Sequence, residues 1–160
     1  MSTCPKPVKL SLIIFMEKCV FCEIISRNKK NETQFISESK HSFIILSNPS
    51  LTKGHLLIIL KKHVEKISEL KNFEKKDLFN EIEKFQELLP QKFSGCDIHQ
   101  NYRPFLLQGR LKVDHLHFHI IPREFKDKIW KNYGKFQDKI FKDLNNKKLN
   151  ETRNEIRSLF

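Results

Sequence analysis

Three histidines alternate with apolar residues in the segment DHLHFHIIPR, residues 114–123. Alternate side chains of an extended chain lie on one face, so His115, His117 and His119 share a face at intervals of about 6.6 Å. Burying three imidazoles without partners is costly, and the pattern therefore indicates a function. Near neutral pH an imidazole serves as a metal ligand, a nucleophile or a general base. The plain alternative is an exposed strand that happens to be rich in histidine.

A cysteine pair near the amino terminus, Cys19 and Cys22, has the spacing Cys-x-x-Cys. Such a pair alone is compatible with zinc, with redox chemistry or with two simple buried thiols. Joined by two histidines it forms a tetrahedral, closed and therefore structural zinc site. The chain lacks the strand–helix setting of a thioredoxin-like redox pair. His41 is a rival ligand, whereas His99, Cys4 and Cys96 are expected to have no special function.

A mixed set of strands and one long helix must position these side chains. Apolar runs and turn signals predict strands at residues 33–37, 41–46, 55–60, 97–101 and 113–121, the last ended by Pro122. A helix over 78–89 is predicted by Leu78, Ile82, Phe85 and Leu89, which recur at helical spacing before Pro90. We therefore expect an α+β fold with an antiparallel sheet.

The remaining segments flank this central region. Residues 1–15 have no clear period and are predicted to form a loosely held extension, followed by a domain over residues 16–125. Residues 126–160 are rich in charged residues, with apolar residues at intervals. We predict that they are helical, with a break near Asn145.

The chain length and the net charge limit the classes of function that are possible. The 160 residues suit one compact domain, and the net charge of +11 favours polyanionic partners without choosing among nucleotides, nucleic acids and acidic membranes. A solvated lysine-rich surface would explain the charge equally well. No basic run is interleaved with aromatic residues, so nucleic acid is an unlikely partner. No apolar stretch is long enough to span a bilayer and no secretory leader is recognisable, so we expect a cytoplasmic protein that does not enter membranes.

The histidine segment and three others resemble the histidine triad (HIT) family, in its Cys-x-x-Cys branch. The other matching segments follow the family's order and read CVFCEIIS (19–26), KGHLLII (53–59) and KKH (61–63). The resemblance covers residues 17–123. It implies an α+β fold with a five-stranded antiparallel sheet, one long helix, and a tendency to form homodimers.

The resemblance also implies a reaction and a set of roles. Members bind nucleoside phosphates and cleave or transfer at the α-phosphorus. His117 matches the nucleophile that forms a nucleotidyl-histidine intermediate, and His119 and His55 match phosphate-contacting histidines. Asn48 falls near a ribose-contacting position, and Asn101 matches a polar residue that assists the phosphate. In the zinc-binding branch the ligands correspond to Cys19, Cys22, His63 and His115, with no organic cofactor.

One departure concerns the residues before the triad. Many members carry Gly-Gln-Ser or Gly-Gln-Thr, whereas Leu111 and Lys112 stand at the Gln and Ser/Thr positions here. Lys112 or Arg110 is expected to supply charge instead, and Gln108 to reach in through a changed loop. The leading prediction is a nucleotide phosphohydrolase or nucleotidyl transferase of the dinucleoside polyphosphate or phosphoramidate type. The alternatives are a nucleotide-binding scaffold with little turnover and, less favoured, a nucleic-acid-processing enzyme.

Overall fold

The computed structural model describes residues 19–26, 33–107, 109, 112–133 and 143–160, so the predicted extension 1–15 and Gln108 lie outside the described residues. The chain divides into two compact units, Met1–Glu124 and Phe125–Phe160. Neither unit tests the predicted division into residues 1–15, 16–125 and 126–160, which stays a prediction.

The first unit contains a five-stranded antiparallel sheet, which confirms the predicted α+β fold. Its strands lie in the order β1-β2-β3-β5-β4. Their bounds are β1 Phe35–Glu38, β2 Ser42–Leu46, β3 Leu56–Leu60, β4 Gly95–Gln100 and β5 His117–Arg123. Among the described residues of this unit, two α-helices accompany the sheet, α1 (Val20–Ser26) and α2 (Asn72–Leu88). The antiparallel ladder places β5 between β3 and β4, in the interior of the sheet.

Side chains of the central strands alternate between the two faces of the sheet and pack into two separate hydrophobic cores. One face packs against α2, and its buried members are Ile44, Ile58, Leu60, Leu78, Ile82, Phe85, Leu116, Phe118 and Ile120, with others. The opposite face packs against α1, and its buried members are Cys19, Phe21, Phe43, Ile45, Leu57 and Ile59. A five-residue strand such as β3 is therefore apolar throughout because both of its faces are covered.

The largest differences between predicted and observed boundaries are in α2 and β5, and the other ends differ by at most two residues. Helix α2 begins at Asn72, not at 78, because its first turn is stabilised by the Glu74 carboxylate, which accepts a hydrogen bond from the Lys71 N–H at 2.8 Å. Strand β5 begins at His117, not at 113, and it continues through Pro122 to Arg123. Beyond Ile120 only β4 flanks β5, so the missing N–H of Pro122 removes no bond from β3.

The turn between β1 and β2 is tied to α2 by the Asp77 carboxylate. One carboxylate oxygen accepts hydrogen bonds from the Ser39 hydroxyl at 2.6 Å, the Ser42 hydroxyl at 3.0 Å and the His41 N–H at 3.2 Å. Ser42 is fully buried, so its hydroxyl depends on this partner. His41, the rival metal ligand, therefore belongs to this turn and stacks near Phe73 with ring centroids 5.1 Å apart.

Replacing Asp77 with alanine is expected to lower the free energy of unfolding by about 2–3 kcal/mol, because three donors lose a charged acceptor. Urea denaturation at neutral pH measures the change. The matched control is Glu83→Ala, at an exposed position of the same helix, which should stay within about 0.5 kcal/mol of wild type. Equal stability of the two variants would show that the carboxylate does not anchor the turn.

The second unit contains helices α3 (Lys128–Tyr133) and α4 (Asn146–Arg157). The Asn145 side chain caps α4 by accepting a hydrogen bond from the Lys148 N–H at 3.0 Å, at the predicted break. None of the described helices has the length and apolarity needed to cross a lipid bilayer.

Candidate active site and metal cluster

The histidine side chains lie on the sheet face that is covered by α1. His117 pairs across the ladder with Ile59, and His119 pairs with Leu57, whose side chains belong to the α1-side core. The Phe21 ring of α1 meets the His117 ring edge-on, with centroids 5.0 Å apart. His117 is thus held between a central strand and a helix, with only 8% of its surface exposed.

The backbone fixes which nitrogen of His117 is available. Its Nδ1 lies 2.6 Å from the carbonyl oxygen of His115. Because a carbonyl only accepts hydrogen bonds, Nδ1 carries the proton and Nε2 keeps an unprotonated lone pair. The ring is therefore oriented as a nitrogen nucleophile needs to be.

His55 and His119 form a directed hydrogen-bonded pair beside His117. The Leu51 N–H donates to His55 Nδ1 at 3.2 Å, so His55 Nε2 carries the proton and donates to His119 Nδ1 at 3.0 Å. His119 then carries its own proton on Nε2. The His117 and His119 rings lie 4.9 Å apart, so a lone pair and an N–H donor stand side by side.

Gly54 sets the position of His55 at the start of β3. Its φ of +79° lies in the left-handed region, and a Cβ there would come within 3.0 Å of the Phe93 ring. The glycine of the segment 53–59 is therefore required by the backbone turn that delivers His55 to the site.

Burial keeps these imidazoles neutral. It lowers the pKa of His119 to about 3, assisted by the positive potential of His117, His55, His99 and Arg103. Burial also lowers the pKa of His117. The pKa of His55 is lowered first by burial and then by the charge of His99. At neutral pH the Nε2 nitrogen of His117 is therefore not blocked by a proton.

The lowered pKa values of His119 and His55 predict a stability that falls in acid. A folded-state pKa below the unfolded value of 6.5 means that the unfolded chain binds more protons, so stability is full above 6.5 and declines as pH falls toward 3. Urea denaturation between pH 8 and pH 4 should show this decline, and it should be shallower in His119→Asn. An identical acid slope in both proteins would contradict the prediction.

A large cavity of about 1240 Å³ opens beside the histidines. Its apolar lining residues include Phe21, Ile24, Ile45, Leu57 and Val113. Its polar lining residues include Gln34, Ser47, Asn48, His99, Asn101 and Arg103, together with His55, His117 and His119. An apolar pocket with a few converging polar groups suits an organic ligand that carries a polar or anionic end.

A second, smaller cavity of about 60 Å³ lies next to the first. His117, His119, Asn101 and Arg103 line both cavities, and Lys112 lines the smaller one. The Lys112 ammonium contacts the Asp114 carboxylate. Asn48, Asn101 and Lys112, for which substrate binding was predicted, thus all lie in the lining of the cavities.

Sequence reasoning missed His99 and Arg103. His99 was expected to have no special function, and it is exposed, but it also pairs across the ladder with His119 and lines the large cavity. The signal was available in the alternation of His99, Asn101 and Arg103, which continues the two-residue period of β4 beyond its end. Arg103 was passed over because it lies beyond the predicted strand 97–101, in a segment where only Gln108 and Arg110 were assigned a role.

The four predicted metal ligands form one cluster. The potential ligand atoms of Cys19, Cys22, His63 and His115 all lie within 4.8 Å of one another. Neighbouring pairs are closer still: Cys19 Sγ lies 3.4 Å from His115 Nδ1, and Cys22 Sγ lies 3.2 Å from His63 Nδ1. The edge of a tetrahedral zinc site between sulfur and nitrogen is about 3.5 Å, so these donors are spaced to hold a metal.

The protonation of the cluster also suits a metal. His115 Nε2 lies 2.6 Å from the Leu60 carbonyl and donates to it, which leaves Nδ1 as the lone pair that faces the cysteines. Burial and the neighbouring Cys19 raise the pKa of Cys22 to about 12, so the Cys22 thiol stays protonated without a cation. A bound dication would supply the charge that converts this thiol to a thiolate ligand.

Comparisons with known proteins agree with these features. A family model described as HIT domain matches residues 28–126. The chain is 31% identical to an uncharacterized HIT-like protein of Methanocaldococcus jannaschii, over 79% of this chain and 98% of that protein. It is 30% identical to an adenosine 5′-monophosphoramidase of Schizosaccharomyces pombe, over 66% of this chain and 74% of that protein. A crystal structure of a zinc-bound histidine triad family protein from Mycobacterium smegmatis aligns with a TM-score of 0.58 and 25% identity, over 70% and 79% of the two chains.

Proposed function

Because the chain belongs to the HIT domain family, we propose that it is a nucleotide phosphohydrolase or nucleotidyl transferase that works through a covalent nucleotidyl-His117 intermediate. The observation that carries this proposal is the tautomer of His117, whose Nδ1–H is held by the His115 carbonyl while Nε2 stays unprotonated. The similarity to an adenosine 5′-monophosphoramidase supports the choice of a nucleotide substrate.

The proposed reaction has two displacement steps. In the first, the Nε2 lone pair forms a bond to the α-phosphorus, and the bond from phosphorus to the leaving group breaks with its electron pair on that group. In the second, a water or another acceptor oxygen bonds to phosphorus, the N–P bond breaks, and the proton of the acceptor passes to solvent. Two easier substitutions thereby replace one difficult substitution.

The His55–His119 pair is proposed to stabilise the charge of the transferring group. His119 carries an Nε2–H donor because its Nδ1 accepts from His55. A preorganised donor beside developing negative charge lowers the barrier without reorganising during the reaction. Asn101 lines both cavities and is proposed to assist the same oxygens.

The nucleoside is proposed to occupy the large cavity. Its apolar lining residues, such as Phe21 and Leu57, suit the faces of a purine or pyrimidine ring, and the Asn48 side chain suits the ribose hydroxyls. Gln108, a predicted substrate contact, lies outside the described residues, and its role stays a prediction.

The cysteine–histidine cluster is proposed to hold a structural Zn²⁺ through all four side chains. Four donors would close the coordination sphere, which suits a structural and not a catalytic metal. The zinc-bound family structure supports this choice of ion. His115 then serves two purposes in the proposal, as a ligand through its ring and as the acceptor for His117 through its carbonyl.

Homodimerisation is a further part of the proposal. Strand β4 lies at an edge of the sheet, where a second copy can extend it by pairing. Analytical ultracentrifugation should give a mass near twice 19.2 kDa. A monomer at micromolar concentration would remove the dimer from the proposal.

A substrate panel tests the proposed function. The protein is incubated with diadenosine tetraphosphate and, separately, with adenosine 5′-phosphoramidate, and release of AMP is followed by chromatography. Turnover of either compound supports the enzyme. Binding of AMP without turnover of either would instead favour the alternative, a nucleotide-binding scaffold, which the replaced Gly-Gln-Ser/Thr positions make worth testing.

A further inference from the structure

Arg103 is an exposed cation beside the site. It lies three residues beyond β4 and lines both the large and the small cavity. Among the described residues no carboxylate forms an ion pair with its guanidinium, whereas the neighbouring Lys112 is already held by Asp114. Its positive charge acts on His119, because Arg103 is one of the charges that lower the pKa of that imidazole. An unpaired guanidinium beside a pair of donor histidines is suited to an anion.

The two cavities suit chemically different parts of the substrate. A phosphorus atom in front of His117 carries a nucleoside and a leaving group, and the leaving group departs roughly opposite the nucleophile. The large cavity has apolar lining residues that suit the nucleoside. The small cavity, at about 60 Å³, has space for a phosphoryl group but not for a second nucleoside. Its charged lining residues are Arg103, Lys112, Glu65 and Asp114, of which Asp114 is held by Lys112.

We propose that Arg103 binds the leaving phosphates and thereby selects substrates whose leaving group is a polyphosphate anion. This inference rests on the proposed function and narrows its substrate class to nucleoside or dinucleoside polyphosphates, in preference to phosphoramidates that release a neutral amine. As the P–O bond breaks, negative charge grows on the bridging oxygen, and the guanidinium stabilises it there.

The sequence is consistent with this assignment. The chain carries Leu111 where many family members have the glutamine that precedes the triad, so a neutral amide donor is replaced by an apolar residue. A guanidinium supplies a planar pair of donors that fits a phosphate in a bidentate manner, which an amide does not. The chain thus lacks the family's glutamine before the triad and has instead a charged donor, Arg103, just beyond the end of the neighbouring strand β4.

Two substrates with one nucleoside and different leaving groups test the proposal. Wild type, Arg103→Ala, Arg103→Lys and the control Lys76→Ala are assayed with diadenosine tetraphosphate and with adenosine 5′-phosphoramidate. Lys76 is an exposed cation on α2, which packs against the opposite face of the sheet. We expect Arg103→Ala to lose about 10²-fold in kcat/KM on the polyphosphate and less than about threefold on the phosphoramidate. Arg103→Lys should fall between wild type and Arg103→Ala, and Lys76→Ala should match wild type.

A binding measurement keeps the test independent of turnover. Isothermal calorimetry with inorganic tripolyphosphate should show at least about tenfold weaker binding to Arg103→Ala than to wild type or Lys76→Ala. Equal losses on both nucleotide substrates, or unchanged tripolyphosphate binding, would overturn the proposal. If wild type cleaves neither substrate but Arg103→Ala still weakens tripolyphosphate binding, the proposed function fails while the anion site is upheld.

Discussion

Replacement of His117 by asparagine is expected to lower kcat by at least about 10³-fold on any nucleotide substrate, because the only proposed bond to phosphorus is made by its Nε2. The asparagine amide can still donate to the His115 carbonyl, so the local backbone should keep its shape. Nucleotide affinity should accordingly stay within about threefold of wild type, since the variant removes a reacting atom and not the cavity. Steady-state chromatography for kcat and calorimetry for binding separate the two quantities.

The matched control for this variant is His41→Asn. His41 lies in the β1–β2 turn, beside Phe73 and the Asp77 network, and its ring lines neither described cavity. Its replacement should leave kcat within about twofold of wild type, as expected for a change that touches no reacting group. Retention of more than a tenth of the wild-type kcat in His117→Asn would exclude His117 as the nucleophile.

Replacement of Cys19 by alanine is expected to abolish stoichiometric zinc and to lower the melting temperature by about 10 °C or more, because binding energy at a structural zinc site is also folding energy. Cys19 is 2% exposed and adjoins His115, so loss of the ion also removes the link between α1 and the segment that leads into β5. Metal analysis of the purified protein and differential scanning calorimetry measure the two effects.

Cys96→Ala is the control for the zinc prediction. Cys96 is a free thiol on β4 that packs against the α2-side core, away from the cluster. It should retain about one zinc per chain, whatever packing energy its side chain contributes. Wild-type protein that folds without zinc, or equal zinc contents in the two variants, would show that the cluster is not a structural metal site.

The elements of the fold were predictable where apolar residues repeat with a clear period. β3 was recognisable as an uninterrupted apolar run, and α2 by the spacing of Leu78, Ile82 and Phe85. The first turn of α2 was missed because it carries polar residues and is held by Glu74, whose effect is local capping. β5 was expected to end at Pro122, and the strand continues because no partner on the β3 side requires an N–H there.

The candidate site was predictable in its members but not in its contacts. The alternation of histidines placed His117 and His119 on one face, and the Cys-x-x-Cys pair indicated a metal cluster. The proton positions could not be derived from sequence, because they depend on the His115 and Leu60 carbonyls and on the Leu51 N–H. The alternation with His99 and Asn101 gave a partial signal for Arg103, but the sequence alone does not show that the chain keeps the direction of β4 beyond Gln100, where the strand ends.

The most direct test of the account is to trap the intermediate on His117. Wild type is mixed with excess diadenosine tetraphosphate, quenched within milliseconds under alkaline denaturing conditions that preserve phosphoramidate bonds, and analysed by intact and peptide mass spectrometry. The nucleotidyl-His117 mechanism predicts a mass increase of one adenylyl group, located on His117 within the tryptic peptide, and no increase in His117→Asn. An adduct on another residue, or turnover of substrate with no adduct at any quench time, would contradict a nucleotidyl-His117 mechanism.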